Sequence, residues 1–244
     1  MDSTKIDSMI TVRSKSTRLP QKCFLPFAGK TVIEHIIDRA LEFNIDPILC
    51  TTLEEDDNSL EKLATTRGIR YFRGSTEDKL KRWKDACEKY NVKKFVSIDA
   101  DDLFFDRDLV YKSYNTIKDG YDFVTHPENL PYEGCVGYGI TYDIINEACE
   151  IKKTDNTEMI WVFVEQIKNL KKAFLSTPDG RKNIRLTLDY KEDYWLMLVV
   201  ERILGPYACM SEILSLFEKN PDLHKVNWFR NDEYKKNHQN ISLT

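Results

Sequence analysis

Apolar residues follow two alternating patterns along the chain: short clusters, and longer stretches in which they return at helical spacing. Met9–Val12, Pro47–Thr51, Arg70–Phe72, Lys94–Ile98 and Tyr121–Thr125 read as strands. Between the first two, Val32, Ile33, Ile36, Ile37, Ala40 and Leu41 predict a helix, opened by a capping box of Thr31 and Glu34. Asn58–Thr66, Asp78–Tyr90 and Asp108–Lys118 read as further helices. Regular β-α alternation predicts an α/β protein with a mostly parallel sheet, and no internal repeat interrupts it. The regularity breaks from about Glu128 to Phe174, where Gly134, Gly137 and Gly139 crowd together and a helical pattern follows over Ile160–Leu170. We read 1–244 as a single domain in which 128–175 is an insertion that builds an acceptor pocket or a subunit contact. Ile184–Leu188 then predicts a late strand ending at Asp189, and Tyr194–Leu204 an apolar helix. The tail after Asn231 is polar and is expected to fray.

A chain of 244 residues is long enough to bury the core this pattern requires. Its 36 Lys and Arg against 40 Asp and Glu give a net charge of −4, so no global basic field exists to grip nucleic acid, and a polyanionic ligand needs a local cluster. The opening residues place acids where a signal peptide needs cations, and the apolar run Trp195–Val200 falls far short of the roughly 20 residues that cross a bilayer. The six cysteines are scattered, with no C-x-x-C pair, and read as reduced core residues of a cytoplasmic protein.

Residues 13 to 30 carry Arg13, Lys15, Arg18, Lys22 and Lys30 without one acid. The stretch lies between the first strand and the first helix, where backbone N–H groups, hydroxyls and cations converge on phosphate; the alternative is a solvated basic loop. Two phosphate motifs are excluded. Gly29-Lys30-Thr31 resembles the end of a Walker A loop, but Phe24 stands where its first glycine belongs, and no G-x-G-x-x-G follows the first strand. Asp99-Ala-Asp-Asp102 closes the Lys94–Ile98 strand, and Asp189 closes the late one. Read locally, Asp101 caps its turn and Asp189, with Glu192, forms a helix cap, while Asp99, Asp102 and Asp193 are the other acids of these two turns.

The segment from Val12 to Lys22, with Gly29-Lys30 and the helix Val32–Arg39, resembles the opening of the CMP-sugar cytidylyltransferases, closest to the spore-coat polysaccharide type and related to CMP-Kdo and acylneuraminate synthetases. Phe72-Arg-Gly-Ser-Thr-Glu-Asp-Lys-Leu-Lys-Arg82, Ile98-Asp-Ala-Asp101 and Arg185-Leu-Thr-Leu-Asp189 are similar to three further blocks of that family, in the same order. The resemblance implies a Rossmann-like three-layer nucleotidyltransferase fold of the nucleotide-diphospho-sugar transferase type, with a mixed, mostly parallel sheet. It implies that Arg13, Ser16, Arg18 and Lys22 hold the triphosphate of CTP, and that Arg73, Gly74 and Arg82 lie near its base or ribose. It implies that Asp101 and Asp189 converge at the sheet's carboxyl edge to hold Mg²⁺, a hard cation suited to carboxylates, with Asp99, Asp102 and Asp193 as secondary candidates, and that Arg13, Lys22 and Asp101 form the catalytic set. The implied reaction moves CMP from CTP to an acidic sugar or related acceptor, releasing pyrophosphate, for surface polysaccharide synthesis, and the relatives imply a homodimer.

Departures concentrate in the insertion. The stretch that in the family carries a glutamate within an apolar strand reads Glu133-Gly-Cys-Val-Gly-Tyr-Gly-Ile140, and the later Glu-His-Val-Thr block reads Glu158-Met-Ile-Trp161, keeping the glutamate without the histidine and threonine. Gln21 replaces a glycine before Lys22, and Asp101 precedes Asp-Leu rather than a small residue and proline. Tyr132, Tyr138 and Trp161 are read as core packing, with stacking on a sugar as the alternative. Two other functions fit the residues. Asp99-Ala-Asp101 has the Asp-x-Asp form of a glycosyltransferase that uses a nucleotide-sugar, and the altered insertion is compatible with a non-catalytic nucleotide-binding relative.

Overall fold

The computed structural model describes residues 5–126, 132–175 and 183–239, without the side chains of Tyr132, Glu133, Lys235 and residues 237–239. Its first part is a run of β-α units: β1 (Ile6–Thr11), a small hairpin of β2 (Pro26–Phe27) and β3 (Lys30–Thr31), α1 (Val32–Glu42), β4 (Ile45–Thr52), α2 (Asn58–Arg67), β5 (Arg70–Gly74), α3 (Lys79–Tyr90), β6 (Lys94–Asp99), α4 (Arg107–Lys118) and β7 (Phe123–Thr125). There follow β8 (Tyr132–Glu133), β9 (Gly139–Thr141), α5 (Tyr142–Ile151), a single turn α6 (Trp161–Val164), β10 (Lys172–Phe174), β11 (Ile184–Arg185), α7 (Lys191–Leu204), α8 (Met210–Lys219) and α9 (Arg230–Gln239).

Seven strands form the central sheet in the order β10-β7-β9-β6-β1-β4-β5, parallel throughout except for β9, which runs antiparallel to both β6 and β7. Strand alternation sends successive residues to opposite faces. Ile10, Leu49 and Val96 join α1, α4, α7 and α8 in one buried layer, while their neighbours Met9, Ile48 and Phe95 join α3, α5 and α6 in the other. The result is the expected three-layer α/β sandwich.

Several expected elements take a different form. Of the segment read as an insertion, β9 and β10 are strands of the central sheet itself; residues 127–131 and the side chain of Tyr132 lie outside the described residues. The helix expected over Ile160–Leu170 stops after one turn. Beyond Glu165 the backbone tightens into i→i+3 bonds, and Asn169 takes the left-handed conformation at φ 61°, which ends a helix. The late strand pairs with β8 only at Ile184 and Arg185, because the backbone of Leu188 is committed elsewhere: its N–H donates to Asp101 O at 2.8 Å. The tail after Asn231 continues as helix α9 through Gln239 instead of fraying.

β1 is where strand order reverses: the chain leaves it toward β4 and β5 and returns on its other side as β6. In open α/β sheets, ligands bind at such a point, beyond the carboxyl ends of the strands. The loop after β1 and the acidic turn after β6 meet there, and Ala100 N–H donates to Thr11 O at 3.1 Å. Arg39 of α1 stiffens the far side of that turn. Its buried guanidinium donates to the carbonyls of Phe105, Pro206 and Ala208 at 2.7–2.9 Å.

Candidate active site

A cavity of about 450 Å³ opens over the β1/β6 junction. Arg13, Ser16, Arg18 and Lys22 from the first loop line it, together with Arg82, Asp101, His126, Tyr138, Glu158, Trp161 and Asp189. A more open depression of about 530 Å³ runs along α4, but its lining comes from that helix and Asp119 alone, so it brings no separate elements together.

The basic loop is built on a residue that sequence reasoning did not single out. The buried carboxylate of Asp57 accepts from Ser14 N and Oγ at 2.8 and 2.6 Å, from Thr51 Oγ1 at 2.8 Å, and from Thr52 N and Oγ1 at 3.1 and 2.5 Å. Burial pushes its pKa up, but the bonds from Ser14 and Thr52 outweigh that and hold it below the usual range. Asp57 therefore ties the start of the loop to the end of β4. No signal in the linear sequence links positions 14 and 57.

Lys22 stands between the two acidic strand ends. Its Nζ lies 2.7 Å from Asp101 Oδ2 and 3.2 Å from Asp189 Oδ1, and also donates to Leu188 O at 2.8 Å. Burial alone would lower the lysine pKa, but Asp101 and Asp189 raise it, so the ammonium stays charged. Asp189 also takes Arg18 Nη2 at 2.6 Å and Arg185 Nη2 at 2.9 Å. Against burial, Lys22 and Arg18 hold Asp189 well below the ordinary carboxylate pKa. Asp101 is shifted the other way, by burial and by the nearby Asp189 and Asp99, with Lys22 offsetting part. Asp102 lies higher still, raised by burial and then by Asp101 and Asp99.

Asp193, a secondary metal candidate in the sequence, has a structural role. It is fully buried, and its Oδ2 accepts from the N–H groups of Asp189 and Tyr190, both at 2.9 Å. It also takes Arg185 Nε at 3.0 Å and Asn227 Nδ2 at 2.8 Å. Asp193, rather than Glu192, thus closes the N-terminus of α7 and fixes the loop that carries Asp189. Glu192 instead holds Arg230, which donates through Nε at 3.0 Å and Nη2 at 2.9 Å.

The seven nucleotide-binding candidates separate. Arg13, Ser16, Arg18, Lys22 and Arg82 line the cavity, whereas Arg73 and Gly74 do not. Arg73 turns toward α2, donating to Thr52 O, Glu54 O, Asn58 Oδ1 and Glu61 Oε2. Gly74 is a packing residue, because a Cβ there would stand 3.1 Å from Arg82 Cγ. Arg82 is buried, donates to Ser75 O at 2.5 Å, and has its pKa lowered by that burial. Sequence reasoning also passed over Lys79, whose buried ammonium donates to Asp99 Oδ1 at 2.9 Å. Lys79, Arg13 and Arg82 keep Glu158 ionised in spite of its burial.

Tyr138 packs on Phe123 with ring centroids 5.3 Å apart and has Trp161 6.1 Å away, as expected of core residues, while Tyr138 and Trp161 also line the cavity. Gly137 permits this arrangement: a Cβ would lie 2.1 Å from Ser97 O, so only glycine lets the strand approach β6. His126 Nδ1 is buried without a hydrogen-bond partner, and burial pushes the ring pKa down to about 4.

The donor set bears on a metal. Among the described residues no three His, Cys, Asp or Glu side chains are grouped to hold one. Two carboxylate oxygens from separate strand ends do converge on one point, the position of Lys22 Nζ. That donor set suits Mg²⁺, which retains several waters and takes one or two carboxylates together with substrate phosphates.

A cationic loop and two carboxylates, Asp101 after β6 and Asp189 on the loop before α7, meet at the switch point of a three-layer sheet, the arrangement of a nucleotidyltransferase. The sequence profile of the cytidylyltransferase family matches residues 8–175, and the chain belongs to that family, whose members are CTP-dependent nucleotidyltransferases. It is 25% identical over 227 residues to the spore coat polysaccharide biosynthesis protein SpsF of Bacillus subtilis, covering 88% of this chain and 94% of that protein. A cytidylyltransferase structure from Leptospira borgpetersenii superposes with a TM-score of 0.80 at 25% identity, over 90% of this chain and 96% of that one. A structure of CMP:2-keto-3-deoxy-manno-octonic acid synthetase complexed with CTP shares the fold, with a TM-score of 0.61 at 13% identity over 82% and 99% of the two chains. No helix among the described residues is long and apolar enough to cross a membrane.

Proposed function

We propose that the protein transfers CMP from CTP to an acidic sugar or a related sugar acid, releasing pyrophosphate, in the synthesis of a surface polysaccharide. The observation that carries this reading is the meeting of Arg13, Arg18 and Lys22 with Asp101 and Asp189 in one cavity at the β1/β6 junction. The relative SpsF supports the polysaccharide setting by its name.

In this reading the triphosphate lies along the loop from Arg13 to Lys22. Arg13, Arg18 and Lys22 face the β and γ phosphates, and the Ser16 hydroxyl donates to one of them. A carboxylate or hydroxyl oxygen of the acceptor attacks the α phosphorus in line, and a hydroxyl's proton passes to the Asp99–Asp102 acid cluster. The bond from that phosphorus to the bridging oxygen breaks, and pyrophosphate leaves with the electron pair, its charge met by the loop cations. Asp101 and Asp189 are the residues that would hold Mg²⁺, which would supply Lewis-acid stabilisation of the α phosphate. Lys22 bridges the two carboxylates and Arg18 pairs with Asp189, which fixes the two acids relative to the loop.

Pyrophosphate release tests the reading. With Mg²⁺ and a panel of sugar acids, CTP should yield pyrophosphate with at least one acceptor, while ATP, GTP and UTP yield little. Equal release from all four nucleotides, or none with any acceptor, contradicts it.

A further inference from the structure

The C-terminal helix α9 carries an aromatic ring into the phosphate end of the cavity. Tyr234 lines that cavity, with its ring centroid 4.8 Å from Arg185 Cζ and 5.8 Å from Arg18 Cζ. Tyr190 lies 5.6 Å from each of the same two guanidinium carbons. Two tyrosine rings therefore flank two arginines, and those arginines hold opposite oxygens of Asp189, Arg18 on Oδ1 and Arg185 on Oδ2.

Helix α9 is strongly polar. Its sequence, Arg230-Asn-Asp-Glu-Tyr-Lys-Lys-Asn-His-Gln239, carries no apolar stripe to bury, so its place depends on polar contacts and on the tyrosine ring. Arg230 forks onto Glu192 and lies 5.0 Å from the Tyr190 ring, and Asn227, just ahead of the helix, donates to Asp193 Oδ1 and Arg185 O. The Asn227 contacts reach Asp193 and Arg185, two of the residues that fix Asp189, while Arg230 ties the helix to the start of α7. Arg185 is fully buried, while the Arg18 side chain is 31% exposed at the cavity wall, so Arg18 is the member of the pair that has room to turn toward a ligand.

We propose that Tyr234 is a positioning residue for nucleotide binding. Its ring holds Arg18 at the cavity wall with one edge of the guanidinium on Asp189 and the rest facing the triphosphate, so that α9 forms part of the triphosphate site and docks more tightly when a polyphosphate is bound. A guanidinium over an aromatic face keeps its in-plane N–H donors available, which suits a residue that must change partners. The inference rests on the functional reading above only in taking the polyphosphate to be that of CTP.

The test compares wild type, Tyr234→Ala and Tyr234→Phe by isothermal titration with CTP and with inorganic tripolyphosphate, both with Mg²⁺, alongside hydrogen exchange of the α9 amides. The expected result is about tenfold weaker binding of both ligands by Tyr234→Ala, recovery by Tyr234→Phe because the ring is what counts, and ligand-induced protection of α9 in wild type. Unfolding midpoints without ligand establish that the variants are folded, and in turnover the larger part of the loss should appear in KM for CTP, with a smaller fall in kcat because Arg18 also meets the leaving pyrophosphate. Wild-type affinity in Tyr234→Ala, or equal weakening in both variants, overturns the proposal. Tripolyphosphate binding with the expected variant pattern but no CTP binding leaves it standing and removes the cytidylyl reading. Failure of wild type to bind either ligand overturns both.

Discussion

Asp57 makes five hydrogen bonds with its two oxygens, and each donor is a group of the basic loop or of the end of β4. Replacing it with alanine leaves buried donors unmatched, a loss of about 2–4 kcal/mol. Asp57→Ala should therefore lower the chemical unfolding midpoint and also weaken CTP binding, through Ser14 and the loop it anchors. Unchanged CTP affinity in a destabilised Asp57→Ala would show that the loop keeps its shape without this anchor. At this scale the sequence shows the cations and the acids but not their partners. Arg13 to Lys22 and the strand-end aspartates are visible because each belongs to a compact local pattern at a strand terminus. Arg73 was expected near the nucleotide, and it turns away because Asn58 and Glu61, one strand-loop-helix earlier, take its guanidinium. Asp57 joins the nearby Thr51 and Thr52 to Ser14, 43 positions away, and Lys79 and Tyr234 meet Asp99 and Arg18 at 20 and 216 positions, separations that no local spacing records.

Among the elements, β9 shows how backbone approach shapes the site. It enters the sheet antiparallel between β6 and β7, and the residues just before it lie against Ser97: Ser97 N–H donates to Tyr138 O, Tyr138 N–H donates to Ser97 Oγ, both at 2.8 Å. A methyl at Gly137 would collide with the Ser97 carbonyl, which cannot yield without breaking β6. Gly137→Ala is expected to cost about 2–4 kcal/mol and to displace Tyr138 from the cavity. Denaturant unfolding and the near-ultraviolet circular dichroism of the aromatic cluster would register both effects, and a variant as stable as wild type with an unaltered spectrum would contradict them. The regular β-α run up to residue 125 was legible because each element buries one periodic face. The capping box of Thr31 and Glu34 was legible too, since a helix start is a local event: Glu34 Oε2 accepts from Thr31 N at 2.9 Å. The strands β9 and β10 are three residues each, too short to show a period, and α9 has no apolar face, so neither kind of element could be read from hydrophobic spacing.

For the molecule as a whole, buried histidine makes stability depend on pH. His35 is buried, its Nε2 lies 2.9 Å from Leu103 O, and burial pushes its pKa down to about 4 from an ordinary 6.5. Between those values the unfolded chain binds the proton and the native state does not, so stability falls as pH drops from 6.5 toward 4, and this residue adds no further loss below that. The effect is at most on the order of 3 kcal/mol. His35→Gln should flatten that part of the stability profile measured by denaturant titration at several pH values, and a profile of unchanged slope would contradict the assignment. The asymmetry of the molecule is functional as well. The family match ends at residue 175, while Asp189, the acid cluster behind it and Tyr234 come from the last third of the chain, which folds back over the first loop.

The central claim is that CTP and Mg²⁺ are held between the basic loop and Asp101 with Asp189. Thermal unfolding of wild type and Asp101→Ala with CTP, UTP, ATP and GTP, each with and without Mg²⁺, tests it most directly. A ligand at 100 times its dissociation constant stabilises the native state by about 2.7 kcal/mol, a readily measured shift. The account predicts selective stabilisation of wild type by CTP, enlarged by Mg²⁺, with the Mg²⁺-dependent part lost in Asp101→Ala. No shift with any triphosphate, or the same shift in Asp101→Ala as in wild type, would contradict it.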